Sequence, residues 1–271
     1  MKKDHQYKNF IPGKDIVHHY GKNVHILGDP LLLTLVVKIG SPATKQPVIN
    51  DSLKIVYERL FCRAITDLFP LEDKSIPTRM KTYTSKGIYH GPVLDEDTLA
   101  VCVDIARAGT IPSQTGHDLL VRLLNPDNVR QDHIYASRTV DKKQRVTGVS
   151  FAGAKIGGDI KNAILLIGDP MGATGSTIAD VINHYKNNFK GPAKAFVSLH
   201  LIVTPEYILK MKKEHPKLHI YAARLDRGLS SKKVLESCLG KYIHEEKGLN
   251  ERQYIVPGAG GLGEIINNAY V

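Results

Sequence analysis

The chain has 271 residues, 42% hydrophobic and 24% charged, which suits one large globular domain or two small ones and excludes a disordered, collagenous or coiled-coil chain. Lys and Arg number 37 against 27 Asp and Glu; the resulting charge of +10 favours an anionic partner, whether a phosphorylated small molecule, nucleic acid or an anionic membrane surface. The cations are scattered and Trp is missing, so a base-stacking platform for nucleic acid is not expected.

Residues 1–25 are polar, rich in His and Lys, and read as an N-terminal arm; no apolar stretch follows Lys2 and Lys3, so no secretory signal is expected. The longest apolar run, 31–37, is broken by Thr34 and stops at Lys38, far short of a membrane span. Cys62, Cys102 and Cys238 lie far apart without a C-x-x-C pair, as expected of reduced thiols in a cytoplasmic protein. Asn50, Asp51 and Ser52 offer caps ahead of a helix in which Leu53, Val56, Tyr57, Leu60, Phe61, Ala64, Ile65 and Leu68 recur at three- and four-residue spacing before Pro70. Residues 71–97 read as loops and short strands. Residues 99–105 suit a buried strand, followed by a helix at about 116–124 and a short strand near 133–135. Residues 138–160 hold four glycines and many cations and read as a mobile excursion. Beyond it, 163–167 is a bare apolar strand, 176–188 a helix, 195–203 a strand, Pro205 the first turn of a helix, and 218–223 a strand. Apolar strands alternating with helices predict an α/β fold with a parallel sheet covered on both faces.

The most informative segment is Asp169, Pro170, Met171, Gly172, Ala173, Thr174, Gly175, Ser176 and Thr177. A strand turns through an acid and two glycines and enters a helix that starts with hydroxyl residues. Backbone N–H groups at such a start have no helical partner, and with the helix dipole behind them they suit a phosphate. A nucleotide-triphosphate P-loop is excluded, because no lysine lies between Asp169 and Thr177. Gly and Thr serve equally as turn and cap at any strand–helix junction, so this loop alone leaves that reading open. Gly258, Gly260 and Gly263 also spell G-x-G-x-x-G, but only eight residues follow, too few for the rest of a dinucleotide-binding unit. His215 and His219 have metal-pair spacing that Pro216 spoils.

The segment 169–177 resembles the phosphoribosyl-pyrophosphate (PRPP) motif of phosphoribosyltransferases, and its Asp-Pro-Met start is similar to the uracil phosphoribosyltransferase family. Other segments agree in order. Ile105 to Gly109 resembles the family's Arg-Ala-Gly turn, and Tyr135 to Arg138 a Tyr-Arg segment ahead of a mobile hood. Lys155 stands at the family's usual distance before the PRPP loop, and Gly248 to Gly258 resembles its uracil-binding strand and loop.

The resemblance covers 26–271. It implies a type I phosphoribosyltransferase core with a hood at about 138–160, and transfer of phosphoribosyl from PRPP to uracil, giving UMP and pyrophosphate, with Mg2+. By this likeness the loop holds PRPP through Met171, Gly172, Ala173, Thr174, Gly175, Ser176 and Thr177, with the 5′-phosphate on 173–177. Asp169 steadies a cationic ribose, while Arg107, Arg138 and Lys155 meet PRPP, the arginines at its pyrophosphate. Backbone groups of Tyr254, Ile255, Gly260, Gly261 and Leu262 read the base. The resemblance also implies an assembly of like subunits, with the arm free to clasp a partner, and leaves room for a nucleotide effector.

Four departures stand out. Gly261 replaces an acidic residue of the family, and Glu264 replaces an Asp. Ala152, Gly153 and Ala154 precede Lys155 where an aromatic pair is usual. Ser176 replaces a glycine, and 230–247 reads as an insertion. They keep two alternatives open: a PRPP-dependent transferase for another base, and a catalytically weak PRPP or nucleotide sensor.

Overall fold

The computed structural model describes residues 13–140 and 146–269, with side chains at 137–140 and 146–151 outside the description. Its central sheet runs, edge to edge, through strands β1 (Val24–Ile26), β10 (His219–Leu225), β9 (Ala195–Val203), β7 (Ile164–Gly168), β4 (Ala100–Ala106), β5 (Val129–Val140) and β6 (Val146–Lys155), and the two-residue β8 (Met171–Gly172) pairs with β9. Every pairing is parallel except β5 with β6. Parallel strands are covered on both faces, which is why β7 is buried at all five positions. Helices α1 (Pro30–Ile39), α2 (Val48–Leu68) and α3 (Thr110–Leu120) pack one face; α4 (Ser176–Asn188) and α5 (Pro205–Glu214) pack the other. The expected α/β class with a covered parallel sheet is what forms.

From β4 the chain crosses through α3 to β5; from β7 it crosses through α4 to β9 on the opposite side. Neighbouring strands whose connections leave in opposite directions open a crevice at their carboxyl ends. Arg107 follows β4 and Asp169 follows β7, so the two segments singled out in the sequence flank that crevice.

Boundaries differ from expectation in physically clear ways. Helix α2 starts at Val48, before the expected caps. Asn50 is instead drawn into a tertiary contact, its Nδ2 donating to the Ile266 carbonyl at 3.2 Å, while Gln46 Nε2 donates to the Ile265 and Ile266 carbonyls, both at 3.2 Å. The two amides thereby cap the end of the short helix α7 (Leu262–Ile265). Helix α3 begins at Thr110, directly from the Arg-Ala-Gly turn, and ends at Leu120 rather than spanning 116–124. Residues 71–97 hold a long antiparallel pair, β2 (Leu71–Pro77) with β3 (Ile88–Leu94). The strand expected near 133–135 extends over β5 and pairs with β6 in the register His133 to Lys155, so most of the segment 138–160 is an extension of the sheet.

Residues 13–25, expected as part of an arm, pack against the body, with Ile16 and Tyr20 buried. The segment 230–247, which holds the short helix α6 (Lys232–Leu235), leaves and re-enters at one neck, where Leu229 N–H donates to the Lys247 carbonyl at 3.0 Å and Lys247 N–H to Ser230 Oγ at 2.8 Å. Beneath the neck, fully buried Arg227 pairs with Glu246 at 2.6 Å, and Glu246 also accepts from Gly240 N–H and the Tyr20 hydroxyl. Among the described residues, no helix is long and apolar enough to cross a membrane.

Candidate functional site

A cavity is lined by the loop from Asp169 to Ile178, with Tyr207 and Gln253 closing its sides. The loop's shape is fixed from below. Asp169 N–H donates to the Leu199 carbonyl at 3.1 Å, and Thr204 N–H to the Gly172 carbonyl at 3.0 Å. Thr204 Oγ1 donates to the Ala173 carbonyl at 2.7 Å and accepts from Tyr207 N–H, so one hydroxyl caps α5 and holds the loop.

Gly175 precedes α4 with φ +82, a conformation costly for residues with a Cβ, and supplies no side-chain cap. The N–H groups of Thr174 and Gly175 have no hydrogen-bond partner among the described residues. An uncapped start of a 13-residue helix, with two unmet donors and the Thr174, Ser176 and Thr177 hydroxyls beside it, is an anion site. Asp169 Oδ1 accepts the Met171 N–H at 3.2 Å, fixing its carboxylate at the cavity edge.

His200 supports this loop and was not anticipated from the sequence. Wholly buried, it donates from Nδ1 to the Asp169 carbonyl at 2.6 Å and accepts at Nε2 from the Tyr207 hydroxyl at 2.8 Å, with Ser198 Oγ 3.0 Å from the same oxygen. Burial pushes its pKa from the usual 6.5 down to about 4, so the ring is neutral in the folded chain. Between those values the unfolded chain binds the proton and the folded chain does not. Stability is therefore complete above pH 6.5 and falls as pH drops toward 4, by about 3 kcal/mol from this ring. Denaturant unfolding across that range checks it: His200→Gln should show a flatter acid limb than the parent, and an unchanged limb would contradict the assignment.

Arg107 lies on an exposed turn and donates from Nη1 to the Ala269 carbonyl at 3.1 Å. Gly109 closes the turn where a Cβ would sit 2.8 Å from the Gly168 carbonyl and 2.7 Å from Ile105 N, so the turn packs onto the end of β7 only with glycine. Lys155 is exposed at the end of β6, opposite His133. Arg138 lies in β5, opposite Val149, and its side chain is outside the described residues. The cavity itself does not reach Arg107, Lys155 or the glycines at 260 and 261.

The C-terminal loop is clamped by side chains that sequence reasoning missed. Asp226, buried at the end of β10, pairs with Arg224 through two contacts of 2.6 and 2.7 Å and accepts the Gly258 N–H at 2.8 Å. Arg224 Nη2 donates in turn to the Gly258 carbonyl at 3.2 Å. Glu206, in the first turn of α5, accepts from the N–H groups of Gly248 and Leu249 at 2.9 and 3.1 Å. A charged pair straddling the last apolar residue of β10, Leu225, is the one local signal that would have marked Arg224 and Asp226.

Within this loop Ile255 and Leu262 are buried and Tyr254 is exposed. Leu262 N–H already donates to the Gly260 carbonyl at 3.1 Å, whereas the N–H groups of Gly260 and Gly261 meet no partner among the described residues. The helix that follows lies on the Arg107 turn: a Cβ at Gly263 would be 3.6 Å from that of Ala108. At Gly261 a Cβ would sit 3.0 Å from Glu264 Oε2, so the Glu264 carboxylate folds back over the position that lacks a side chain.

The family described as uracil phosphoribosyltransferase matches residues 26–244. The chain is 28% identical over 247 residues to the uracil phosphoribosyltransferase of Shouchella clausii (strain KSM-K16), covering 89% of this chain and 96% of that protein. It is 29% identical over 250 residues to the uracil phosphoribosyltransferase of Acidovorax ebreus (strain TPSY), covering 90% and 97%. In fold it is similar to the AQ2163 protein from Aquifex aeolicus, with a TM-score of 0.69 at 21% identity, covering 92% of this chain and 99% of that one.

Proposed function

The chain belongs to the uracil phosphoribosyltransferase family, and on that premise we propose that it transfers the phosphoribosyl group of PRPP to uracil, releasing pyrophosphate and giving UMP. The observation that carries this reading is the anion site at the start of α4, where Thr174 and Gly175, their N–H groups unmet, line a cavity edged by Asp169. The C1′–O bond to pyrophosphate breaks, the bond from uracil N1 to C1′ forms, and the N1 proton passes to solvent.

In this reading 173–177 hold the 5′-phosphate and Asp169 faces the ribose as positive charge develops on it. Arg107, Arg138 and Lys155 attract the pyrophosphate from the ends of β4, β5 and β6, and uracil lies against the N–H groups of Gly260 and Gly261. Catalysis is then positioning plus electrostatics, without a covalent intermediate. Among the described residues no three His, Cys, Asp or Glu side chains gather as a metal cage. Asp169, at the cavity edge, is the carboxylate that would hold Mg2+, an ion that keeps several waters and is bound mainly through substrate phosphates. When bound, Mg2+ would neutralise charge on the leaving group.

The Glu264 carboxylate serves where the family has an acid at 261. Glu264→Ala is expected to lower kcat/KM about tenfold, the scale of one charged hydrogen bond, and adding Gly261→Asp to that variant to restore it. A double variant no better than Glu264→Ala would contradict the substitution.

The reading extends to a cytoplasmic assembly of like subunits, supported by the exposed Ile76, Met80, Tyr83 and Tyr89 on and around the β2–β3 pair, and to a nucleotide effector. The family match favours uracil over another acceptor and turnover over sensing alone. Incubating the chain with PRPP, Mg2+ and a panel of free bases, with chromatography of the products, tests it. UMP from uracil supports the reading; a nucleotide formed only from another base overturns the acceptor, and no product from any base overturns the transferase.

A further inference from the structure

Gln253 is the residue that neither the loop motif nor the mechanism above uses. It lies in the turn before Tyr254, with φ +63, in the left-handed region that a residue with a Cβ adopts at a cost. The turn imposes this. Gln253 N–H donates to the Asn250 carbonyl at 2.9 Å, and Asn250 Oδ1 accepts the N–H groups of Arg252 and Tyr254 at 3.0 and 2.9 Å. Half-buried, Gln253 lines the cavity formed by the loop 169–178 and Tyr207. Its Oε1 is buried and has no hydrogen-bond partner among the described residues.

A strained backbone and a buried unmet carbonyl are two separate costs at one residue, both removed by glycine. Such a combination is the mark of a group kept for a ligand. The rest of the lining narrows the ligand class. Thr174 and Gly175 present N–H donors and Thr174, Ser176 and Thr177 hydroxyls, a set that suits a phosphate monoester. A carboxamide can face such a ligand with either end, because a half-turn of its last torsion exchanges Oε1 and Nε2 without changing shape. A phosphate dianion brings only acceptors and selects the orientation with Nε2–H inward.

We propose that Gln253 completes the phosphate site from the side of the base-reading loop, its carboxamide donating to the phosphate monoester bound at the start of α4. This rests on the phosphate-loop reading above and adds to it a neutral donor carried by a different segment of the chain. The phosphate site and the base strand are thereby joined through one side chain.

Calorimetric titration of the full chain with UMP and with uridine, which lacks the phosphate, tests the inference, alongside the KM for PRPP. Gln253→Gly keeps the turn and relieves the backbone, so it should fold at least as well as the parent. It should bind UMP about tenfold more weakly, the low end for one hydrogen bond to a charged group, with uridine unchanged. Gln253→Glu, nearly identical in shape but anionic, should lose more than about tenfold for UMP, and raised salt should narrow the gap. If Gln253→Gly binds UMP within twofold of the parent, or Gln253→Glu binds it equally well, the proposal is overturned while the phosphate loop stands. If the parent itself does not bind UMP, the loop reading and this inference fall together.

Discussion

Asp169→Asn is expected to lower kcat by about a hundredfold to a thousandfold, the range seen when one aligned electrostatic group is removed from a transition state. The KM for PRPP should move by only a few-fold. Asparagine keeps the size of the side chain, and its carbonyl can still accept the Met171 N–H that aspartate accepts at 3.2 Å. The backbone at 169 is held independently, through Leu199 and His200. What the substitution removes is the negative charge at the cavity edge, which in the proposed reaction faces the ribose as pyrophosphate departs. Steady-state kinetics with varied PRPP check this, and a kcat within threefold of the parent would show that the charge has no part in the reaction.

Asp226 carries the second large effect, through position rather than contact. Asp226→Ala removes the two-point partner of the half-buried Arg224 guanidinium and leaves the Gly258 N–H unmet, which should cost about 2 to 3 kcal/mol of folding stability. Asp226→Asn keeps shape and one acceptor, so it should fold. With the Gly258 end of the loop loosened, its KM for uracil should rise about tenfold, roughly the cost of one lost hydrogen bond, while its KM for PRPP holds. Denaturant unfolding reads the first effect and initial rates at varied uracil read the second. An equal rise in both KM values would mean that Asp226 supports the whole site rather than the base loop.

What the sequence discloses and what it hides follow one physical line. The junction at 169–177 is legible because its chemistry is local: glycine where φ is positive, hydroxyls at a helix start, an apolar strand behind. Helix α5 is legible for the same reason, from Pro205 in its first turn. The start of α2 was misplaced because Asn50 spends its side chain on Ile266, 216 positions away, rather than on its own helix. The start of α3 was missed because Gly109 caps nothing with a side chain and is required instead by the close approach of Gly168 and Ile105.

The supports of the site are hidden for a related reason. Asp226 meets Gly258 across 32 positions, Glu206 meets Gly248 across 42, and His200 meets Asp169 across 31, so no spacing rule reaches them. Glu264 is the intermediate case. Its three-residue spacing from Gly261 is that of one helical turn, and α7 uses it to bring the carboxylate back over the glycine. The departure at 261 therefore has a carboxylate beside it in space, which the sequence alone does not show.

A crystal structure of the chain with UMP decides where the nucleotide sits. The phosphate is expected on the N–H groups of Thr174 and Gly175, the ribose beside Asp169 and the uracil edge against Gly260 and Gly261. UMP bound with its phosphate away from the start of α4, or a loop at 173–177 that stays bare at saturating UMP, would contradict it.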